Sequence, residues 1–158
     1  MIRVGIGYDS HRFIEGRRLV LGGVTIPHAR GLAGHSDADA VTHALIDAIL
    51  GAAGAGDIGR LFPDQDPQWK DADSLALLRK AQELVHTRGY GFLQADLTIV
   101  AEQPRLEPYL DAMSNSLGAA LGSQPGTVSL KAKTNETMGF IGRGEGIAVI
   151  AVATLESL

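Results

Sequence analysis

Ile147-Ala148-Val149-Ile150-Ala151-Val152-Ala153 is apolar at every position, and this stretch decides which architecture the chain can adopt. It lies within a strand predicted over residues 146–155. Successive side chains of a strand point to opposite faces of its sheet, so this strand needs apolar cover on both faces. We therefore predict that helices cover one face of the sheet and that a second copy of the chain covers the other.

The rest of the chain alternates between strand and helix patterns without a linker or an internal repeat. Strands are predicted over residues 2–8, 18–21, 24–26, 92–101 and 128–133, and helices over residues 36–53, 74–88 and 106–121. Residues 1–158 are therefore predicted to form one α+β domain, a sandwich of a mixed β-sheet with helices on one face. A doubly wound α/β sheet is the alternative.

The composition limits the class of protein. The 158 residues carry a net charge of −4 and contain no Cys. The lack of Cys excludes disulfides and thiolate zinc sites and favours a cytoplasmic protein. The acidic balance argues against nucleic acid as a partner. No apolar stretch predicts a membrane span or a signal segment.

The first strand leads into Gly7-Tyr8-Asp9-Ser10-His11. Side chains two apart on a strand share a face, so Asp9 and His11 project together. His43 follows in the helix predicted over residues 36–53. One Asp and two His form the donor set of an open, zinc-type metal site with one position left for a ligand. A strand-end turn without a metal is the alternative interpretation.

Polar residues form a stripe along that helix, beside its apolar face. Ser36 is predicted as the N-cap, with Asp39 completing a capping box. Asp39 and Asp47 are each four residues from His43. Either carboxylate could therefore accept the second ring N–H of a metal-bound His43.

The other histidines and the acidic loop are less informative by themselves. His35 stands directly before the predicted N-cap, where it could hydrogen-bond a phosphate attracted to the helix N-terminus. His28 and His86 are predicted to be surface residues. The acidic, turn-rich segment over residues 56–66 predicts an ordinary loop when it is read alone.

A second polar cluster follows the strand predicted over residues 128–133. Lys131 and Lys133 share a face of that strand, and Thr134 and Glu136 come directly after it. The glycine-rich segment around Arg143 can approach a ligand closely. Cations, a hydroxyl and a carboxylate suit a polyphosphate with Mg²⁺. A glycine-rich β-hairpin with a surface ion pair is the alternative.

Four motifs together resemble 2-C-methyl-D-erythritol 2,4-cyclodiphosphate synthase, an enzyme family of the non-mevalonate isoprenoid pathway. In chain order they are Gly-Tyr-Asp-Ser-His at 7–11, His-Ser-Asp-Ala-Asp at 35–39 with His43, Gly-Asp-Ile-Gly at 56–59 with Leu-Phe-Pro-Asp at 61–64, and Gly-Phe-Ile-Gly-Arg-Gly-Glu-Gly at 139–146. The resemblance spans the whole chain.

The resemblance implies two metal ions. Asp9, His11 and His43 match the residues that bind one zinc-type divalent ion per chain. Glu136 matches a residue that reaches a second divalent ion, Mg²⁺ or Mn²⁺, together with the substrate diphosphate.

The resemblance also implies catalytic and substrate contacts. His35 and Thr134 match residues that stabilise the transition state. The implied substrate contacts are Asp9, Ser10, His11, His35, Ser36, Asp57, Ile58, Gly59, Phe62, Pro63, Asp64, Gln65, Asp66, Ala101, Glu102, Gln103, Pro104, Arg105, Leu106, Glu107, Lys133, Thr134, Asn135, Glu136, Phe140 and Arg143. Lys133 and Asn135 stand where some members of the family carry Thr.

The implied reaction is the cyclisation of 4-diphosphocytidyl-2-C-methyl-D-erythritol 2-phosphate, a cytidine diphosphate-linked substrate, with release of CMP. The enzyme would be a phosphorus–oxygen lyase. The family packs three sheets around a trimer axis, so a homotrimer with sites at its subunit boundaries is implied. A zinc-dependent hydrolase with the same Asp/His/His site and a non-catalytic ligand-binding oligomer stay open as alternatives.

Overall fold

The computed structural model describes residues 1–158. Its strands are β1 (Ile2–Ile14), β2 (Leu19–Leu21), β3 (Val24–Ile26), β4 (Gly31–Leu32), β5 (Tyr90–Val100), β6 (Val128–Lys133) and β7 (Gly146–Ser157). Its helices are α1 (Ala40–Ala52), α2 (Ile58–Leu61), α3 (Ser74–Thr87), α4 (Leu110–Leu121) and α5 (Gly139–Gly142). None of these helices combines the length and the apolar character that crossing a bilayer requires.

Five strands form one sheet in the order β4-β1-β7-β5-β6, and β2 pairs with β3 in a separate hairpin. β5 and β6 run parallel, whereas β7 is antiparallel to both β1 and β5. The long helices α1, α3 and α4 pack on one side of this mixed sheet. The predicted α+β architecture is therefore confirmed, and the doubly wound alternative is wrong because a doubly wound sheet carries helices on both faces.

Alternate residues of β1 show that only one face of the sheet is covered. Gly5 and Gly7 are buried, whereas Val4 and Ile6 are 65% and 70% exposed. Cross-strand partners in β7 share the exposed side, and Ile150 opposite Tyr8 is 42% exposed. We call this surface the open face; its large apolar residues are Ile2, Val4, Ile6, Tyr8, Ile150 and Val152.

Two glycines let α1 lie unusually close to β1. A Cβ atom at Gly7 would lie 1.9 Å from the carbonyl oxygen of Ala44, and one at Gly5 would lie 2.1 Å from that of Ala48. Any larger residue at these positions would force the helix and the strand apart. The pair of glycines in a strand was the sequence signal for this contact, and it sets how near the histidine of α1 comes to the strand.

β1 is longer than the sequence predicted. It does not end at residue 8, because its ladder with β7 continues through the pair Arg12 and Gly146 and its end pairs with β4. Asp9 and His11 consequently lie in mid-strand, where the ladder with β7 continues before and after them and restricts their movement.

α1 begins later than the sequence predicted, and its N-cap is Asp39 rather than Ser36. The carboxylate of Asp39 accepts the backbone N–H of Thr42 at 3.0 Å. The predicted capping box is therefore wrong, and His35 lies in a bend that precedes the true helix start. A bend there leaves room for a cleft between this segment and the helix.

The remaining elements agree with the prediction apart from their ends, two short helices and the two-residue strand β4, which was not predicted. α2 lies where the sequence predicted a loop, and α5 lies in the glycine-rich segment, which was predicted as a ligand-binding loop with a β-hairpin as the alternative. His86 is exposed as predicted. His28 is half-buried with its ring centroid 5.4 Å from that of Phe13, so the surface prediction is wrong for this residue.

Candidate metal centre and ligand clefts

β1 and α1 bring Asp9, His11 and His43 together. One donor atom from each residue lies within 4.8 Å of the other two. Oδ2 of Asp9 lies 2.8 Å from Nε2 of His11 and 3.2 Å from Nδ1 of His43. The three residues that the sequence predicted as one metal site thus converge, and their mixed oxygen and nitrogen donors fit a divalent ion.

Each histidine has one ring nitrogen held by the protein and one directed at this centre. Nδ1 of His11 donates to the carbonyl oxygen of Ala33 at 2.6 Å. Nε2 of His43 lies 2.9 Å from the hydroxyl of Ser74 and 3.1 Å from that of Ser36. Such partners on the far nitrogen fix the orientation of metal-binding histidines.

The prediction that Asp39 or Asp47 accepts the second ring N–H of His43 was wrong. Asp39 accepts the backbone N–H groups of Gly22 and Gly23 at 2.8 Å and 2.7 Å, which fastens the β2–β3 turn to the start of α1. Asp47 accepts the N–H of Ile58 at 2.7 Å and fixes the start of α2. Both aspartates anchor the elements around the cleft instead of binding the imidazole.

The groups at the centre favour each other's charged forms. Burial acts to raise the pKa of Asp9, but hydrogen bonds from His11 and His43 outweigh it and hold that pKa below its usual value. Burial likewise acts to lower the pKa of His11, but the hydrogen bond to Asp9, the negative charge of that carboxylate and the hydrogen bond to Ala33 together outweigh it and raise that pKa. The carboxylate thus stabilises a positive charge beside it, whether that of an imidazolium or of a metal ion.

A cleft of about 240 Å³ opens beside the metal centre. Its lining consists of the metal-centre residues, the bend before α1, and α2 with the segment that follows it: Asp9, His11, Gly34, His35, Ser36, His43, Ile58, Gly59, Phe62, Asp64, Trp69 and Leu77. Nε2 of His35 is buried there without a hydrogen-bond partner. Arg17 holds the bend through the carbonyl oxygens of Gly34 and Ser36, at 2.7 Å and 2.6 Å.

Two apolar residues of this cleft were not predicted from the sequence. Trp69 packs edge-on against Phe62 with ring centroids 4.9 Å apart, and Leu77 comes from α3. Trp69 is the single Trp of the chain, which was the only available signal, and Leu77 was hidden in the core pattern of its helix.

A second cleft, of about 210 Å³, lies between the segment after β5 and the end of β6. Its lining is Ala101, Glu102, Pro104, Arg105, Leu106, Glu107, Ala132, Lys133 and Thr134. All but Ala132 were predicted as substrate contacts. Lys133 and Thr134 are exposed, whereas Lys131 forms an ion pair with Asp96 at 2.5 Å and is not directed at this cleft.

The loop after β6 is strained and held by one carboxylate. Glu136 and Thr137 have φ angles of 51° and 64°, in the left-handed region that non-glycine residues disfavour. Oε1 of Glu102 accepts the N–H of Asn135 at 2.8 Å and that of Thr137 at 3.3 Å. The loop presents Thr134 and Glu136 to solvent, with 3.3 Å between the Thr134 hydroxyl and a carboxylate oxygen of Glu136.

The two clefts are separate within one chain and share no lining residue. Ser10 pairs with Ala148, Ala148 with Val100, and Val100 with Lys133, so three strand spacings separate Ser10 in the middle of β1 from the end of β6. That separation is about 14 Å at the usual distance between strands. The predicted contacts outside both linings are Ser10, Asp57, Pro63, Gln65, Asp66, Gln103, Asn135, Glu136, Phe140 and Arg143.

Comparison with known proteins gives consistent results along the whole chain. The sequence pattern of the YgbB family matches residues 2–156. A 2-C-methyl-D-erythritol 2,4-cyclodiphosphate synthase from Moorella thermoacetica is 58% identical over 154 residues, which cover 98% of this chain and 94% of that protein.

Two solved structures extend the likeness to the fold. The bifunctional IspDF from Campylobacter jejuni superimposes with a TM-score of 0.96 at 42% identity, covering 100% of this chain and 43% of that chain. This chain thus spans less than half of the bifunctional protein. A 2C-methyl-D-erythritol-2,4-cyclodiphosphate synthase in its CDP-bound form has a TM-score of 0.89 at 42% identity, covering 98% of this chain and 100% of that chain.

Proposed function

The chain belongs to the YgbB family, and on that premise we propose that it is a 2-C-methyl-D-erythritol 2,4-cyclodiphosphate synthase of the non-mevalonate isoprenoid pathway. The observation that carries the proposal is the convergence of Asp9, His11 and His43, whose donor atoms lie within 4.8 Å of one another beside a cleft of about 240 Å³. A metal centre beside a cleft of this size suits the binding of a phosphate.

The substrate is 4-diphosphocytidyl-2-C-methyl-D-erythritol 2-phosphate, and the enzyme acts as a phosphorus–oxygen lyase. An oxygen of the 2-phosphate forms a bond to the β-phosphorus of the same molecule. The bond from that phosphorus to the bridging oxygen breaks, and CMP leaves with the electron pair. Because the nucleophile belongs to the substrate, the chain needs no covalent nucleophile. Its task is to hold two anionic phosphates in line, where proximity lowers the barrier by several kcal/mol.

The donor sets of the chain suit two different ions. Asp9, His11 and His43 would hold one zinc-type ion, because two imidazoles and one carboxylate leave a tetrahedral site open for a phosphate oxygen. The oxygens of Glu136 and Thr134 suit a harder ion, Mg²⁺ or Mn²⁺. When bound, such ions neutralise phosphate charge.

His35 and Thr134 would stabilise the charge that develops during the reaction. The buried Nε2 of His35 has no hydrogen-bond partner in the chain, so it is free to bind a phosphate oxygen in the first cleft. The hydroxyl of Thr134 contacts only its own loop and is exposed at the second cleft. Both groups are therefore available to a ligand.

The second cleft would take the cytidine diphosphate end of the substrate. Its walls come from residues 101–107 and from the end of β6, and Lys133 supplies an exposed cation. The CDP-bound relative described above supports a nucleotide of this kind. The exposed Phe140 and Arg143, on α5 and directly after it, would contribute from the segment that follows Thr134.

A homotrimer would complete each site from two chains. A separation of about 14 Å between Ser10 in β1 and the end of β6 keeps His35 and Thr134 in different clefts of one chain. The open face supports the same assembly, because uncovered apolar residues on most of β1 require a partner surface. Three sheets packed around an axis would bury these faces and bring the first cleft of one chain to the second cleft of its neighbour.

We place the enzyme in the cytoplasm, with the cytidylyl substrate and further copies of this chain as its partners. Neither nucleic acid nor a membrane is part of this proposal.

The decisive experiment follows the products of the cytidylyl substrate with a divalent ion in heavy-oxygen water. Mass spectrometry should detect a cyclic diphosphate and CMP, both without solvent oxygen. Incorporation of solvent oxygen would identify a zinc-dependent hydrolase instead, because water would then be the nucleophile. Binding without turnover would favour a non-catalytic ligand-binding oligomer.

Single substitutions assign the roles within the site. His43→Ala should remove the zinc-type ion, measured by elemental analysis, while the apolar face of α1 keeps the helix in place. His35→Ala and Thr134→Ala should lower kcat more than they raise KM if both groups act on developing charge. An unchanged metal content in His43→Ala would contradict the proposed ligand set.

A further inference from the structure

Behind His43, on the side away from the metal centre, a hydrogen-bonded chain crosses from α1 to α3. Nε2 of His43 lies 2.9 Å from Oγ of Ser74, the first residue of α3, which is fully buried. The hydroxyl of Ser74 donates to a carboxylate oxygen of Asp37, and the backbone N–H of Ser74 donates to the other oxygen at 3.0 Å. A carboxylate, a hydroxyl and an imidazole thus lie in series.

The direction of the hydrogen bonds in this chain follows from the chemistry of its members. A carboxylate accepts only, so the single hydroxyl hydrogen of Ser74 is directed to Asp37. The oxygen of Ser74 then offers only lone pairs to His43, and Nε2 of His43 must carry the hydrogen between them. When His43 binds a metal ion as a neutral ring, Nδ1 no longer carries the hydrogen that it can donate to Asp9, and its lone pair is left for the ion.

The second hydroxyl beside His43 does not determine this direction. Oγ of Ser36 lies 3.1 Å from Nε2 of His43 and accepts the N–H of Ala38 at 3.3 Å. No acceptor claims the hydrogen of the Ser36 hydroxyl, so that hydroxyl could either donate or accept. Only the series of hydrogen bonds through Ser74 ends on a carboxylate, which cannot donate and therefore fixes the direction.

We propose that Asp37 and Ser74 are positioning residues for the metal centre, because they hold His43 in the tautomer that presents Nδ1 to the ion. A carboxylate that accepts from the far nitrogen of a metal-bound histidine orients the ring and makes it a better ligand, and here a buried hydroxyl carries that effect. The inference rests on the metal site of the proposed function and adds two residues that do not touch the ion.

The test uses the full-length protein and Zn²⁺ alone, with chelator competition to measure the Kd. Asp37→Asn keeps the shape of the side chain but can donate its amide N–H to Ser74, which frees the hydroxyl to donate to Nε2 of His43. The Kd should rise 10- to 100-fold. In the zinc-loaded protein, the ¹⁵N-labelled Nε2–H of His43 should also exchange with solvent faster than in the wild type.

Asp73→Asn is the matched control, because it makes the same change one residue from Ser74. Asp73 is the N-cap of α3 and accepts the N–H of Leu75, without contact to His43. Its variant should keep the wild-type Kd and the wild-type exchange rate. Equal losses of zinc affinity in Asp37→Asn and Asp73→Asn would overturn the inference. Both losses would then come from a disturbed N-terminus of α3 and not from the hydrogen bonds to His43.

Ser74→Ala decides the question if Asp37→Asn does not fold by circular dichroism. It removes the acceptor whose direction Asp37 fixes, leaves only the hydroxyl of Ser36 beside Nε2, and should weaken zinc binding about tenfold. A folded variant of either residue with the wild-type Kd and exchange rate overturns the inference. A wild-type protein that does not bind Zn²⁺ would overturn the proposed metal site itself, whereas tight wild-type binding with unaffected variants overturns only the role of Asp37 and Ser74.

Discussion

The two ends of the sheet differ in how far a single chain completes them. At β1 and α1, each imidazole has one nitrogen bound by the protein and the other directed at the carboxylate of Asp9. At the loop after β6, Thr134 and Glu136 are exposed, and the backbone of Glu136 is in the left-handed region. The first region is organised for a ligand by the fold of one chain. In the second region these groups are exposed, and in the proposed trimer a neighbouring chain would cover them.

The largest effect should come from mixing two variants, each of which is defective in one of the two regions. Asp9→Ala and Glu136→Ala should each abolish turnover when refolded alone. Co-refolded in equal amounts, the two variants should regain about a quarter of the wild-type activity, because random mixing brings two intact halves together at about one boundary in four. CMP release measures the regain.

The double variant Asp9→Ala with Glu136→Ala, co-refolded with Asp9→Ala, is the control and should stay inactive because no intact pair can form. Mixed assemblies that are verified by mass spectrometry but show no activity would contradict the split site. They would place both halves of each site within one chain.

The next effect tests whether the open face is the proposed subunit interface. Ile6→Asp puts a charge in the centre of the open face, where Ile6 is 70% exposed in the isolated chain. Burying that charge against a partner is strongly unfavourable. Light scattering should therefore show monomers, and activity should fall more than tenfold although circular dichroism stays unchanged.

Gln124→Asp introduces the same group in the exposed loop between α4 and β6 and should keep both assembly and activity. An Ile6→Asp protein that assembles and turns over like the wild type would show that the open face is not the subunit interface.

A smaller effect tests the contact that organises the first region. Gly7→Ala places a Cβ 1.9 Å from the carbonyl oxygen of Ala44, so α1 must move away from β1 and His43 must move with it. We expect a loss of about 1–3 kcal/mol in the free energy of unfolding and weaker zinc binding. Urea denaturation and chelator competition measure the two effects.

Gly51→Ala is the matched control on the helix side of the same contact. A Cβ there meets only the carbonyl oxygen of Ile6, at 3.8 Å. This exposed helical position should gain up to about 1 kcal/mol from the higher helix propensity of Ala. Equal destabilisation by the two substitutions would contradict the close approach of α1 to β1.

The smallest effect is a dependence of stability on pH at the anchor of α1. Burial raises the pKa of Asp39 above 3.8, although hydrogen bonds from Thr42 oppose the shift. Protonated Asp39 therefore stabilises the fold fully below the unfolded pKa, and this contribution is lost as the pH rises through the folded pKa. The stability advantage of the wild type over Asp39→Asn should accordingly shrink as the pH rises from about 4.

Asp96→Asn provides a comparison of opposite sign. The hydrogen bond from Lys131 lowers the pKa of Asp96, so its contribution is present above the unfolded pKa and is lost as the pH falls through the folded pKa. The wild-type advantage over Asp96→Asn should grow with pH. Parallel trends for both variants, measured by urea denaturation across the pH range, would contradict the assignment for Asp39.

Local periodicity predicted that Asp9 and His11 share a face, whereas His43 was assigned to the same metal site from its donor type and from the resemblance of the motifs. Asp9 and His11 are two apart on a strand, and His43 lies on the helix that the motifs marked. The partners of His43 were not predictable in this way, since Ser74 lies 31 residues away and reaches the imidazole only when α3 packs beside α1. Nearby aspartates on the same helix were the wrong choice because each is occupied by a loop backbone.

The sequence by itself determined the α+β class, most of the strands and helices, and the apolar character of both faces of β7. These depend on the alternation of side chains and on helical periodicity, which are properties of neighbouring residues. Only the tertiary structure decided which face stays open, how near α1 approaches β1, and that His35 and Thr134 lie in different clefts. Strand order and helix packing set these distances, and both arise from contacts between residues far apart in the chain.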